Sequence, residues 1–147
     1  MITAVDTNVL IDVFGADATF GRASQAALAG CAAEGALVAC AVVWAEIGGL
    51  FATAEGARQA MYLIGVEFDP MDQPAAFAAG AAWSHYRKHG GQRTRVIADF
   101  LLGAHAIGAA DRLLTRDPRF YRSYFPKLSL VDPTRPTRPT RPTTGRK

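Results

Sequence analysis

Short apolar runs alternate with longer helical stretches along most of this 147-residue chain, and that alternation limits the fold more than any other feature. Strands are predicted at Ile2 to Val5, Leu37 to Ala41, Val66 to Phe68, Arg112 to Thr115 and Ser129 to Val131. Helical segments are predicted around 21 to 34, 43 to 63, 73 to 88 and 95 to 109. Repeated β-then-α units with short apolar strands predict an α/β fold, a parallel sheet covered by helices on both faces. In open sheets of this kind ligands sit outside the carboxyl ends of the strands.

With 50% of its residues apolar, a chain of this length can bury one sizeable core but not two. We read residues 1–132 as one folded domain and residues 133–147 as an appendage. From Pro133 the sequence runs PTRPTRPTRPTTGRK, without an apolar side chain to offset the entropy of ordering it. It is expected to be a disordered, extended basic tail. A solvated extension is favoured over an arm that contacts phosphates, since such an arm adds salt-dependent affinity but no chemistry.

The tail also explains the basic balance. Five of the sixteen basic residues lie in it, and residues 1–132 carry 11 basic against 13 acidic groups. Residues 1–70 hold 2 basic and 8 acidic groups, residues 71–132 hold 9 and 5, so a nucleic-acid contact, if there is one, should favour the second half. Cys31 and Cys40 show neither zinc-site spacing nor a disulfide framework and are read as small buried hydrophobes. The amino terminus lacks the n- and h-regions of a signal peptide. The longest nearly uncharged apolar run, Phe100 to Ala110, falls short of the roughly 20 residues a bilayer requires. A cytoplasmic protein with no membrane span is expected.

Asp6 ends the first strand, and Asp117 follows the strand residues Leu113 to Thr115 by two positions, so both carboxylates should emerge at one edge of the sheet. Either alone would be read as a turn former or helix cap. Glu46 sits in a helical segment whose apolar positions Val43, Ile47, Leu50 and Phe51 recur with helical spacing. At 100° per residue it falls about 60° from Val43, at the margin of the buried stripe. Asp99 opens a helix apolar on nearly every face, where a carboxylate needs partners. Carboxylates brought together repel by about 1 to 4 kcal/mol per pair at ~4 Å, so such a site calls for cations. Oxygen ligands without His or Cys select Mg²⁺ or Mn²⁺ over zinc, and ions of that kind serve phosphodiester hydrolysis.

Four segments, taken in order, carry a resemblance. They are Ala4-Val5-Asp6-Thr7-Asn8-Val9-Leu10-Ile11-Asp12, Trp44-Ala45-Glu46-Ile47, Ile97-Ala98-Asp99 through Ala106, and Leu113-Leu114-Thr115-Arg116-Asp117-Pro118-Arg119-Phe120. Together they resemble the successive motifs of PIN-domain ribonucleases, specifically VapC-type toxins, over nearly all of residues 1–131. The resemblance implies a five-stranded parallel sheet, Mg²⁺- or Mn²⁺-dependent endonuclease cleavage of RNA, a homodimer, and inhibition by a cognate antitoxin. By position it makes Asp6, Glu46, Asp99 and Asp117 the catalytic, metal-binding acids. It makes Asn8 and Thr115 the residues that orient them by hydrogen bonding.

Two basic groups flank these acids: Arg87, Lys88, Arg93 and Arg95 before Asp99, with His85 and His89 between them, and Arg116, Arg119, Arg122 and Lys127 around Asp117, beside Tyr121, Tyr124 and Phe125. At least one group is expected to contact RNA phosphates, with Arg87, Lys88, Arg93, Arg95, Arg116 and Arg119 as candidates. His105 is read as packed or partner-bound, and Trp44 and Trp83 as core or interface aromatics. Gly48-Gly49 and Gly103 are read as permitting close helix packing. Asp12 is read as a helix residue at the rim of the pocket, and Asp69 and Asp72 as turn or cap acids. The competing reading is a catalytically inactive PIN-like module that binds RNA or a peptide. A haloacid-dehalogenase-type phosphatase also begins on a strand ending in Asp, but needs a second Asp where this chain has Asn8.

Overall fold

The computed structural model describes residues 1–91 and 97–135. Five strands, β1 (Ile2–Val5), β2 (Ala36–Ala39), β3 (Val66–Phe68), β4 (Arg112–Leu114) and β5 (Leu130–Val131), form one sheet in the order β3-β2-β1-β4-β5. Every pairing is parallel. The expected α/β architecture is thus the observed one. The helices are α1 (Thr7–Phe14), α2 (Gly21–Glu34), α3 (Ala41–Gly48), α4 (Ala54–Leu63), α5 (Gln73–Lys88), α6 (Ile97–Ala109) and α7 (Pro118–Tyr124). From β1 the chain steps outward through β2 and β3, then returns to the other side of β1 for β4 and β5. Right-handed crossovers running in opposite directions place their helices on opposite faces. The reversal occurs between β1 and β4, the position where such sheets open a crevice for ligands.

The core lies between sheet and helices. Val9, Leu10, Val43, Ile47, Phe100, Leu113 and Leu114 are buried there. At one end Phe100 is ringed by Tyr86, Phe120 and Tyr124, with ring centroids 5.2 to 5.5 Å away, so α5, α6 and α7 share an aromatic knot. A Cβ on Gly103 would run into the Phe125 ring, so the absence of a side chain lets α6 approach that knot.

Four expectations change. The helical segment predicted at 43 to 63 is two helices. Gly49 closes α3 with backbone bonds to Ala45 and Ile47, Leu50 turns out to solvent, and Thr53 caps α4 by accepting the Gly56 N–H. A Cβ on Gly48 would meet nothing, so this glycine pair ends a helix and does not admit a neighbour. The strand predicted at 37 to 41 stops at Ala39, because Cys40 is already the N-cap of α3. Helices α1 and α7 have no predicted range, although Asp12 is read as a helix residue, and each is only about two turns long.

Candidate active site

Asp6 and Asp117 both precede helices, at the N-cap positions of α1 and α7, and neither carboxylate caps its helix. Asp6 instead turns toward β4. Its Oδ2 accepts the Thr115 hydroxyl at 2.7 Å and the Asn8 side-chain amide at 3.1 Å. The backbone sets this up, since the Asp6 N–H donates to the Leu114 carbonyl at 2.9 Å and continues the β1–β4 ladder one step past the strand. Thr115 is fully buried, and its Oγ1 also accepts the Asp117 N–H at 3.0 Å. Asn8 completes the lattice by accepting the Arg116 N–H at 3.2 Å.

Glu46 enters from the second turn of α3 and accepts a hydrogen bond from the Thr7 hydroxyl. Asp99 stands in the first turn of α6. All four acids line one open cleft of about 410 Å³, and Thr7, Asn8 and Tyr121 help to complete its wall. The structure therefore brings into one hollow four acids that lie far apart in the sequence, at Asp6, Glu46, Asp99 and Asp117.

The electrostatics of the cleft follow from this crowding. Burial pushes the Asp6 carboxyl up from 3.8 to about 6, with the charge of Asp99 adding to the rise, while the bonds from Thr115, Asn8 and Tyr121 hold it back. The Tyr121 phenol, 1% exposed, is pushed far above its ordinary value, first by burial and then by the charges of Asp6, Asp99 and Asp117. One hydroxyl thus feels three of the four acids. Among the polar residues of the cleft, Thr7 and Tyr121 have roles that the sequence did not reveal. Tyr121 comes one turn after Asp117, a spacing that carries meaning only once α7 is recognised behind Pro118.

Among the described residues, no three His, Cys, Asp or Glu side chains close into a ready metal cage. The donor chemistry nonetheless fits a hard divalent ion. Mg²⁺ keeps several waters and is commonly held through one or two carboxylates, so an open all-oxygen cleft suits it better than a closed cage would.

The basic candidates divide. Arg87 and Lys88 end α5, with the Arg87 guanidinium 5.0 Å from the Trp83 ring centroid, and Arg119 is exposed on α7. None of these three lines the acidic cleft. Arg93 and Arg95 lie outside the described residues. Arg116 does not line the cleft either, and its guanidinium is paired with Asp12 at 2.5 and 3.0 Å. Asp12 is correspondingly no rim residue: it is 2% exposed and also accepts the Ser24 hydroxyl. Asp72 caps α5 by accepting the Ala75 N–H, as a cap acid should, whereas Asp69 pairs with the buried His105 at 2.7 Å.

The PIN domain family model matches residues 3–126. No curated protein matches the chain. Among solved structures, a chain of VapBC-1 from nontypeable Haemophilus influenzae is similar with a TM-score of 0.70 at 19% identity, over 92% of this chain and 100% of that one. A chain of VapBC2 from Rickettsia felis, bound to a DNA fragment from their promoter, gives 0.67 at 20% identity, over 90% and 98%. A chain of a toxin–antitoxin complex from Klebsiella pneumoniae gives 0.62 at 21% identity, over 89% and 97%. At these identities the likeness speaks for the fold, and with the family match over most of its length the chain belongs to the PIN domain family.

Proposed function

We propose that this protein is a metal-dependent endoribonuclease toxin of the VapC type, restrained by a cognate antitoxin. The observation that carries the reading is the convergence of Asp6, Glu46, Asp99 and Asp117 on one cleft at the β1–β4 reversal. Mg²⁺ or Mn²⁺, when bound, would supply positive charge for the scissile phosphate and the departing oxygen. Asp6 and Asp99 are the acids we assign to hold it most directly, with Glu46 and Asp117 on the flanks. Thr115 and Asn8 keep the Asp6 carboxylate turned into the cleft, and Thr7 does the same for Glu46. Residues 1–132 form the nuclease domain in this reading, and residues 133–147 are an extension of it.

Similarity to a chain from a toxin–antitoxin complex supports the antitoxin assignment. So does surface chemistry, since Tyr62, Leu63 and Phe77 are 82%, 81% and 72% exposed and offer apolar contacts to an antitoxin segment or a second copy of the chain. Among the described residues no helix is long and apolar enough to cross a membrane. We place the protein in the cytoplasm, as a homodimer.

The test is cleavage of cellular RNA by purified, partner-free protein in Mn²⁺, abolished by EDTA. Intact RNA under those conditions overturns the reading. Titration calorimetry then separates the nuclease from a PIN-like module that binds RNA or a peptide without cutting it, because the module predicts no heat of Mn²⁺ binding.

A further inference from the structure

The loop that follows β4 is fastened to α1 twice. The Arg116 N–H donates to Asn8 Oδ1, and the Arg116 guanidinium forks onto Asp12, one helical turn farther along the same face. The fork is held from two more sides. Ser24 of α2 donates its hydroxyl to Asp12 at 2.7 Å, and the guanidinium lies 4.2 Å from the Phe20 ring centroid.

An ion pair with one partner buried, as Asp12 is here, is a poor source of net stability, because desolvation offsets much of the attraction. What a two-point arginine–carboxylate fork supplies is a fixed orientation. Here it fixes the residue between Thr115, which holds Asp6, and Asp117, which lines the cleft. Neither Asp12 nor Arg116 lines the cleft itself.

We propose that the Asp12–Arg116 pair is a positioning device for the acidic cleft, keeping Thr115 and Asp117 in register with Asn8 and Asp6. Metal affinity and turnover then depend on two residues that touch neither metal nor RNA. The inference rests on the nuclease reading above.

The experiment compares wild-type protein with Arg116→Lys and Asp12→Asn. Mn²⁺ affinity is measured by electron paramagnetic resonance on protein alone, RNA cleavage is resolved into kcat and KM, and melting is followed by circular dichroism. Measurements are made well below each variant's own melting midpoint, so that loss of fold is not mistaken for loss of positioning. Each variant is expected to bind Mn²⁺ about 10-fold or more weakly and to lose kcat with little change in KM, as removal of orienting partners does elsewhere. The double variant should be no worse than the poorer single one. Variants that bind Mn²⁺ and turn over like the wild type overturn the proposal, whatever happens to their melting. A rise in KM alone overturns it too, by making Arg116 an RNA contact. Wild-type protein that binds no Mn²⁺ instead overturns the nuclease reading on which the proposal stands.

Discussion

Thr115 donates its hydroxyl hydrogen to Asp6 at 2.7 Å across the β1–β4 pairing, and the same oxygen receives the N–H of Asp117. One buried side chain therefore sets the relative placement of two acids from opposite ends of the domain. Thr115→Val keeps the shape and removes both bonds. Mn²⁺ affinity should fall about 10- to 100-fold, and Thr115→Ser should recover most of it. Calorimetric titration of the two variants checks this.

Asp6→Asn and Asp99→Asn should each abolish RNA cleavage in Mn²⁺ while leaving the circular dichroism spectrum unchanged. Residual cleavage at wild-type rate in either variant would remove that acid from the site.

The raised Asp6 pKa gives metal-free stability a definite sign. In the folded state Asp6 holds its proton up to about pH 6, in the unfolded state only to 3.8. The folded chain therefore binds more protons in that window, and its contribution to stability is full below pH 3.8 and lost as pH rises through 6. The loss is on the order of 3 kcal/mol for a shift of about two units. In EDTA, the stability difference between wild type and Asp6→Asn should grow from about pH 4 to about pH 7 in favour of the variant. Adding Mn²⁺ at the upper end of that range should restore the wild type and leave the variant where it was. Denaturant melts across the range decide the matter.

Gly103→Ala should destabilise the protein by about 1 to 3 kcal/mol, since the new methyl meets the buried Phe125 ring. Phe125→Leu in the same background should recover part of the loss. Equal melting of Gly103→Ala and wild type would show that the ring moves aside freely.

Much of this fold is legible in the sequence. The bounds predicted for β1, β3, α2 and α5 are those of the observed elements. Helices α1 and α7 escape because so few turns carry too little period to register. The four acids are found through their ordered motifs. The Asp12–Arg116 pair is not, because a contact across 104 positions leaves no local trace, and Arg116 reads as one more surface cation beside Arg119. Thr7 is hidden in the same way, its role resting on how α3 approaches α1.

The reversal in strand order has a consequence for how the protein is made. β1 leaves the ribosome before the other strands, yet its neighbour on one side is β4, which arrives after Ala109, and α7 follows later still. Until then Asp6 has neither Thr115 to hold it nor Asp117 beside it. A partly synthesised chain consequently carries an incomplete acidic cleft, which Asp117 and Tyr121 join only once α7 has been translated.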